Sequence, residues 1–137
     1  MKEILDFLAT SPAFYVATID ENNMPKVRPF SFVMEWKGRL TFVTNSSKKV
    51  CRQLEKNPGC EICSFDNRRG KWMRISGTVT IFSDVEANRK VFEVMPELKS
   101  IYESESNPNL RCFYFEKGAA SIYSFNSMNT PERVIEF

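Results

Sequence analysis

The sequence predicts a mainly β fold with flanking helices, an antiparallel sheet closed or nearly closed into a small barrel. Three patterns predict it. Most of the chain alternates apolar and polar side chains in strand-length segments rich in Val, Ile, Tyr and Phe. Tight turns such as Glu21-Asn22-Asn23, Lys37-Gly38 and Asn67-Arg68-Arg69-Gly70 separate those segments. The segment Lys26 to Trp36 is apolar on both faces, with Phe30, Phe32, Met34 and Trp36 on one and Val27, Pro29 and Val33 on the other. Its second face must therefore be covered by a helix, a flat ligand or another copy of the chain.

Residues 2 to 9 group Ile4, Leu5, Phe7 and Leu8 on one side of a short helix, which Ser11-Pro12 ends. Ala13 to Asp20 reads as the first strand, Lys26 to Trp36 as one long second strand and Arg39 to Thr44 as the third. Lys48 to Lys56 reads as a helix capped by Ser47, with Val50 and Leu54 on its inner face and Asn57-Pro58-Gly59 stopping it. Cys60 to Asp66 and Lys71 to Phe82 follow as strands. Asp84 caps a helix running to Met95, Pro96 interrupts it, and a further turn reaches about Tyr102. After the polar loop Glu103 to Asn109, Leu110 to Glu116 and Ala119 to Asn126 read as two paired strands around Lys117-Gly118. Arg133 to Phe137 reads as a short last strand.

A chain of 137 residues is expected to form one domain over residues 1–137, around one core. Lys+Arg 19 against Asp+Glu 17 leaves a net charge of only +2, which weighs against a general nucleic-acid or other polyanion binder. Any anion site must come from local arrangement. The mixed-charge start Met1-Lys2-Glu3-Ile4-Leu5-Asp6 and the lack of long apolar runs lead us to expect a soluble, cytoplasmic protein without a membrane partner. Cys60 and Cys63 share a strand but point to opposite faces, so no metal ligation is expected from them, and all four cysteines read as reduced and mostly buried. The chain has no histidine, which argues against hydrolytic triads and His-metal catalysis. Twelve phenylalanines exceed what one small core readily absorbs, favouring a homodimer with ligand sites at its seam.

The stretch Phe42 to Val50 carries the strongest chemical signal. It ends a strand in hydroxyls and opens a helix with Lys48 and Lys49, where the helix dipole disfavours each cation by roughly 0.3–1 kcal/mol. An anion offsets that cost. Thr44, Asn45, Ser46, Ser47 and the two ammonium groups then converge on one phosphate-sized volume, the alternative being a solvated basic turn. If the second and third strands are neighbours, Arg28 approaches the same turn, and its planar fork suits phosphate oxygens. Trp72 and Arg74 share one face of a strand, as a stacking pair for a planar ring or as barrel wall. Arg68, Arg69 and Lys71 read as a solvated turn without function.

Taken in order, Arg28-Pro29-Phe30-Ser31, Phe42-Val43-Thr44-Asn45 with Ser47-Lys48-Lys49, Gln53-Leu54, Asn57-Pro58 and Trp72-Met73-Arg74-Ile75-Ser76-Gly77 resemble the pyridoxamine 5′-phosphate oxidase-like family of FMN-binding split barrels. Phe113-Tyr114-Phe115 and Ala120-Ser121-Ile122-Tyr123 are similar to its short bacterial members. The resemblance implies an antiparallel split β-barrel and a homodimer with FMN at the subunit interface. It implies that Arg28, Ser47, Lys48 and Lys49 hold the phosphate, that Thr44 and Asn45 lie near the ribityl chain or ring, and that Pro29, Phe30 and Ser31 line the isoalloxazine. Val43 and Gln53 join the cofactor-binding set, and Trp72 and Arg74 approach from the partner subunit. The implied activity is hydride transfer between flavin and a small planar partner. The alternatives are a non-catalytic flavin, deazaflavin or haem binder, or an OB-like nucleic-acid module using Lys48, Lys49, Arg52 and Lys56. The sequence lacks any tryptophan after Trp72 and any histidine, so pyridoxal phosphate synthesis and nitroimidazole resistance are not expected.

Overall fold

The computed structural model describes residues 1–137. Its elements are α1 (Lys2–Leu8), β1 (Phe14–Ile19), β2 (Pro25–Phe30), β3 (Met34–Trp36), β4 (Arg39–Asn45), α2 (Lys49–Lys56), β5 (Gly59–Asp66), β6 (Lys71–Phe82), α3 (Val85–Val94), α4 (Glu97–Tyr102), β7 (Leu110–Ser124) and β8 (Arg133–Glu136). All ladders are antiparallel, in the order β2-β1-β5-β6-β7-β4-β3, with β8 added beside β7.

That order closes the sheet. β2 and β3 stand at its two ends, yet only Ser31, Phe32 and Val33 separate them in sequence. Since each residue spans at most about 3.6 Å, the ends lie within roughly 14 Å of each other and the sheet must curl into a barrel with a seam there. The expected single strand Lys26 to Trp36 is thus two strands on opposite edges. Pro29 cannot donate to a second ladder, which suits β2 to an edge, and burial of Phe32 and Met34 beneath α3 and α4 draws the chain out of line.

The other correction concerns β7, which runs unbroken through Lys117-Gly118 where a hairpin was expected. Gly118 lies opposite Gly77, where a Cβ would meet the Lys117 carbonyl oxygen at 2.1 Å. The glycines therefore serve a close backbone approach, and a bulge between Thr78 and Val79 bends the pair. Positive φ occurs instead at the turn glycines Gly38 and Gly70.

Inward residues of the barrel form the larger core. Phe42 stacks on Phe113 at 5.1 Å and receives the edge of Phe14 at 5.7 Å, while Ile4, Phe7 and Leu8 of α1 join the same cluster. A second cluster lies on the opposite face of β7, where Leu110 and Cys112 meet Val91, Phe92 and Tyr102. Asp84 caps α3 as expected, accepting from the Ala87 amide. So α3 and α4 cover the outer face at β3, β4 and β7. They do not cover the face of β2, β1 and β5, where Val27 is 67% exposed and Tyr15 and Phe65 are also exposed. Cys60 is buried and Cys63 exposed, as strand alternation requires.

Candidate functional site

Arg28 leaves β2 on the same side as Val16 and Thr18, its neighbours on β1, and reaches the end of the barrel that α2 closes. There Arg28 Nη1 donates to Thr18 Oγ1 at 2.6 Å and to the Val16 carbonyl at 3.3 Å, and Nη2 donates to Gln53 Oε1 at 2.8 Å. Thr18 Oγ1 in turn donates to Gln53 Oε1 at 2.6 Å. Burial pulls the Arg28 guanidinium below the usual arginine value, while nearby Cys60 acts in the opposite direction. A guanidinium fixed in this way is aimed before any ligand arrives. The expected route, through neighbouring strands, is corrected, because β2 and β4 do not pair; Arg28 meets α2 and comes to line one cavity with Thr44 and Lys48.

One cavity of about 220 Å³ gathers Arg28, Pro29, Phe30, Ser31, Val43, Thr44 and Lys48, seven of the residues singled out from sequence. Phe32, Val50, Met95, Leu98 and Tyr102 complete its wall. Thr44 is 1% exposed and its Oγ1 has no hydrogen-bond partner in the chain. Such an orphaned hydroxyl costs free energy unless something in the cavity pairs with it.

The start of α2 faces the same region. Lys48 occupies the N-cap position and offers no side-chain cap, so the first amides of the helix have no acceptor from it. Ser47 was expected to cap the helix; instead its amide and hydroxyl both donate to Asn45 Oδ1, at 2.8 and 2.7 Å. Asn45 and Ser47 thus brace the turn without lining the cavity. Lys49 and Gln53 line an adjoining groove with Lys26, Arg52 and Lys56, behind the Arg28 fork. Trp72 and Arg74 lie apart from both, on the outer face of β6, where Trp72 stacks on Tyr123 at 5.6 Å and Arg74 pairs with Glu61.

The thiols near this site are protonated at neutral pH. Burial pushes Cys60 up to about 12, only partly offset by Arg28, and burial pushes Cys51 up to about 11 with Glu55 adding to the shift. Nucleophilic thiolate chemistry has no candidate here.

Sequence reasoning missed Thr18, Met95, Leu98 and Tyr102. Thr18 was legible as a polar residue on the inward side of a strand whose other inward residues are Phe14 and Val16. The other three depend on how α3 and α4 fold back over the sheet, which local pattern does not encode.

A family model described as pyridoxamine 5′-phosphate oxidase matches residues 1–117. Among solved structures, a NimC/NimA family protein from Clostridium acetobutylicum is similar at 35% identity and a TM-score of 0.88, over 100% of this chain and 93% of that one. HupZ from Group A Streptococcus shares the fold at 19% identity and a TM-score of 0.65, over 97% and 98% of the two chains. A pyridoxamine 5′-phosphate oxidase-related, FMN-binding protein from Nostoc punctiforme does so at 13% identity and a TM-score of 0.59, over 99% and 94%. The curated proteins contain no match to the chain. The seam between β2 and β3 and these likenesses define an antiparallel split β-barrel. The chain belongs to the pyridoxamine 5′-phosphate oxidase-like family.

Proposed function

We propose that the protein is a cytoplasmic FMN-binding oxidoreductase that works as a homodimer, with each FMN held at the subunit interface. One observation carries the reading. The cavity that collects Arg28, Pro29 to Ser31, Thr44 and Lys48 contains an unpartnered buried hydroxyl and adjoins a helix start that lacks a side-chain cap. These are the donors a phosphorylated polyol ligand pairs with, and family membership supports the same cofactor.

In this reading Arg28 and Lys48 hold phosphate oxygens, with Arg28 kept in place by Thr18 and Gln53. Thr44 donates to the ribityl chain or ring, and Pro29, Phe30 and Val43 form an apolar wall for the flat ring system, with the polar Ser31 lining it beside them. When bound, the flavin supplies two-electron hydride chemistry, so the absence of histidine is no obstacle. Lys49 adds long-range positive charge from the neighbouring groove.

A cavity of about 220 Å³ is smaller than the roughly 300–1,000 Å³ of ordinary ligand sites, so one chain forms only part of a site. The uncovered sheet face with Tyr15, Val27 and Phe65 supports a second copy as the missing part, and Trp72 and Arg74 are proposed to approach the flavin from that copy. No helix is long and apolar enough to cross a membrane.

The test is the ligand itself. Mass spectrometry of the small molecule released from purified protein is expected to return FMN, with an oxidised-flavin spectrum before release. A Soret band, or a colourless protein that ignores added FMN, would overturn the reading.

A further inference from the structure

The groove behind Arg28 carries charge that the cofactor reading does not use. It measures about 620 Å³, within the roughly 300–1,000 Å³ of ordinary ligand sites, and lies between α2 and the turn joining β1 to β2. Arg28 lines both this groove and the cofactor cavity, whereas Lys26, Arg52 and Lys56 line the groove and no part of the cavity.

Cations on the groove wall outnumber carboxylates by five to three, and most of that positive charge is free. Lys49, Arg52 and Lys56 form no ion pair in the chain, and Lys26 stands 3.8 Å from Asp20. Two of the carboxylates have other partners. Asp20 accepts the Asn22 and Met24 amides at 2.8 and 2.9 Å, and Glu55 accepts from Cys51 Sγ at 3.6 Å. Lys49 and Arg52, three residues apart, and Arg52 and Lys56, four apart, are like-charge neighbours on α2, and each pair is destabilising unless an anion lies beside it. Gln53 adds a donor to the same wall. It is 8% exposed, and its Oε1 is turned to Arg28, which can only donate. Its Nε2 donates to nothing in the chain.

We propose that the groove is a second anion site, which binds the polyphosphate chain of a phosphorylated small molecule, two or more phosphoryl groups long. This goes beyond the FMN reading, which places the cofactor phosphate in the cavity. Length and lining select the class. A rise of about 1.5 Å per residue spreads Lys49 to Lys56 over about 10 Å along the helix, more than one phosphate spans. Ile19 and Val27 are the only apolar residues of the wall, so charge rather than ring contact selects the ligand, and the Arg52 fork suits phosphate oxygens. The three carboxylates on the wall and a net charge of only +2 weigh against nucleic acid.

The test is calorimetric binding of inorganic pyrophosphate to the FMN-loaded protein, with orthophosphate as the comparison. The wild type is expected to bind pyrophosphate about tenfold more tightly than orthophosphate and to lose that affinity steeply as salt rises. The double variant Arg52→Gln/Lys56→Gln, changed at two exposed positions, is expected to bind pyrophosphate about tenfold more weakly while FMN affinity, read by flavin fluorescence, stays within about twofold. No pyrophosphate binding at about 10 mM, equal affinity for the two anions, or unchanged affinity in the double variant overturns the proposal. Release of FMN by pyrophosphate also overturns it, because groove and cavity would then hold the same phosphate. The two readings fail separately: a protein that takes up no FMN yet binds pyrophosphate through Arg52 and Lys56 loses the cofactor reading and keeps the groove site.

Discussion

Arg28 Nη2 donates to Gln53 Oε1 at 2.8 Å, and this bond ties the edge strand β2 to the helix α2. Thr18 closes the triangle by donating to the same oxygen. Gln53→Leu removes the shared acceptor, leaving the Thr18 hydroxyl proton and Arg28 Nη2 without a partner, while Arg28 Nη1 still donates to Thr18 Oγ1. The expected loss of stability is about 1–3 kcal/mol in urea unfolding, together with weaker FMN binding because Arg28 loses its aim. A variant with unchanged unfolding midpoint would show that water replaces the glutamine without cost.

Lys48 lines the cavity and Lys49 the groove behind Arg28. Lys48→Ala is therefore expected to weaken FMN binding by about 1.5–3 kcal/mol, tenfold to somewhat over a hundredfold, through loss of a charged hydrogen bond. Lys49→Ala acts only through longer-range attraction and is expected to cost less, with most of its effect lost at high salt. Fluorescence titration at two salt concentrations separates them, and the reverse order would place the phosphate in the groove.

Burial pushes Cys60 and Cys112 up to about 12 from an unfolded value of 9.0. Between those values the unfolded chain has lost thiol protons that the folded chain keeps, so unfolding becomes more favourable as pH rises. The stabilising contribution is complete below about pH 9 and falls as pH climbs toward about 12. Thermal unfolding at pH 8, 9, 10 and 11 is expected to show a declining midpoint, and Cys60→Ala should decline less steeply from its own starting value. Parallel slopes for the two proteins would assign the alkaline loss to other groups.

Gly77 faces Gly118 across the bulged ladder of β6 and β7, and a Cβ at Gly77 would also meet the Gly118 Cα at 2.9 Å. Backbone cannot move aside as a flexible side chain can. Gly77→Ala is expected to cost about 1–3 kcal/mol, read as a lower denaturation midpoint, with larger losses if the ladder parts. Gly38→Ala provides a contrast, because nothing lies within 4 Å of its Cβ and only its positive φ, 76°, is strained.

The residues proposed to hold phosphate stood out because their chemistry is local: Thr44 lies at the end of a strand, and Lys48 and Lys49 open a helix where cations are otherwise unfavourable. The mainly β class was legible for a similar reason, since alternation along β1, β5 and β6 is a property of each segment alone. The break between β2 and β3 was not. It is set by where the sheet closes and by the burial of Phe32 and Met34 under α3 and α4, both long-range conditions. Gly118 misled in the same way, because its partner Gly77 is remote in sequence and a lysine-glycine pair reads locally as a turn. Tyr102 lay at the end of an apparently structural helix, and only the fold-back of that helix brings it to the cavity.

Val27 offers the most direct test of assembly. It projects from the outer face of β2 with 67% of its surface exposed, beside Tyr15 and above the register position of Ala17. A lone barrel gains nothing from an apolar residue there, whereas a second copy seated on the face buries it. Val27→Glu would then place a charge in a dry interface, which neither a rotamer change nor the small neighbour Ala17 can relieve. Light scattering is expected to give a dimer for the wild type and a monomer for the variant, with FMN released as the partner's wall is withdrawn. Val85→Glu is the control, since Val85 is also exposed but begins α3 on the covered side of the barrel, and it should keep both the mass and the flavin. If Val27→Glu becomes monomeric yet binds FMN as tightly as before, the cofactor site lies within one chain and the interface location is wrong.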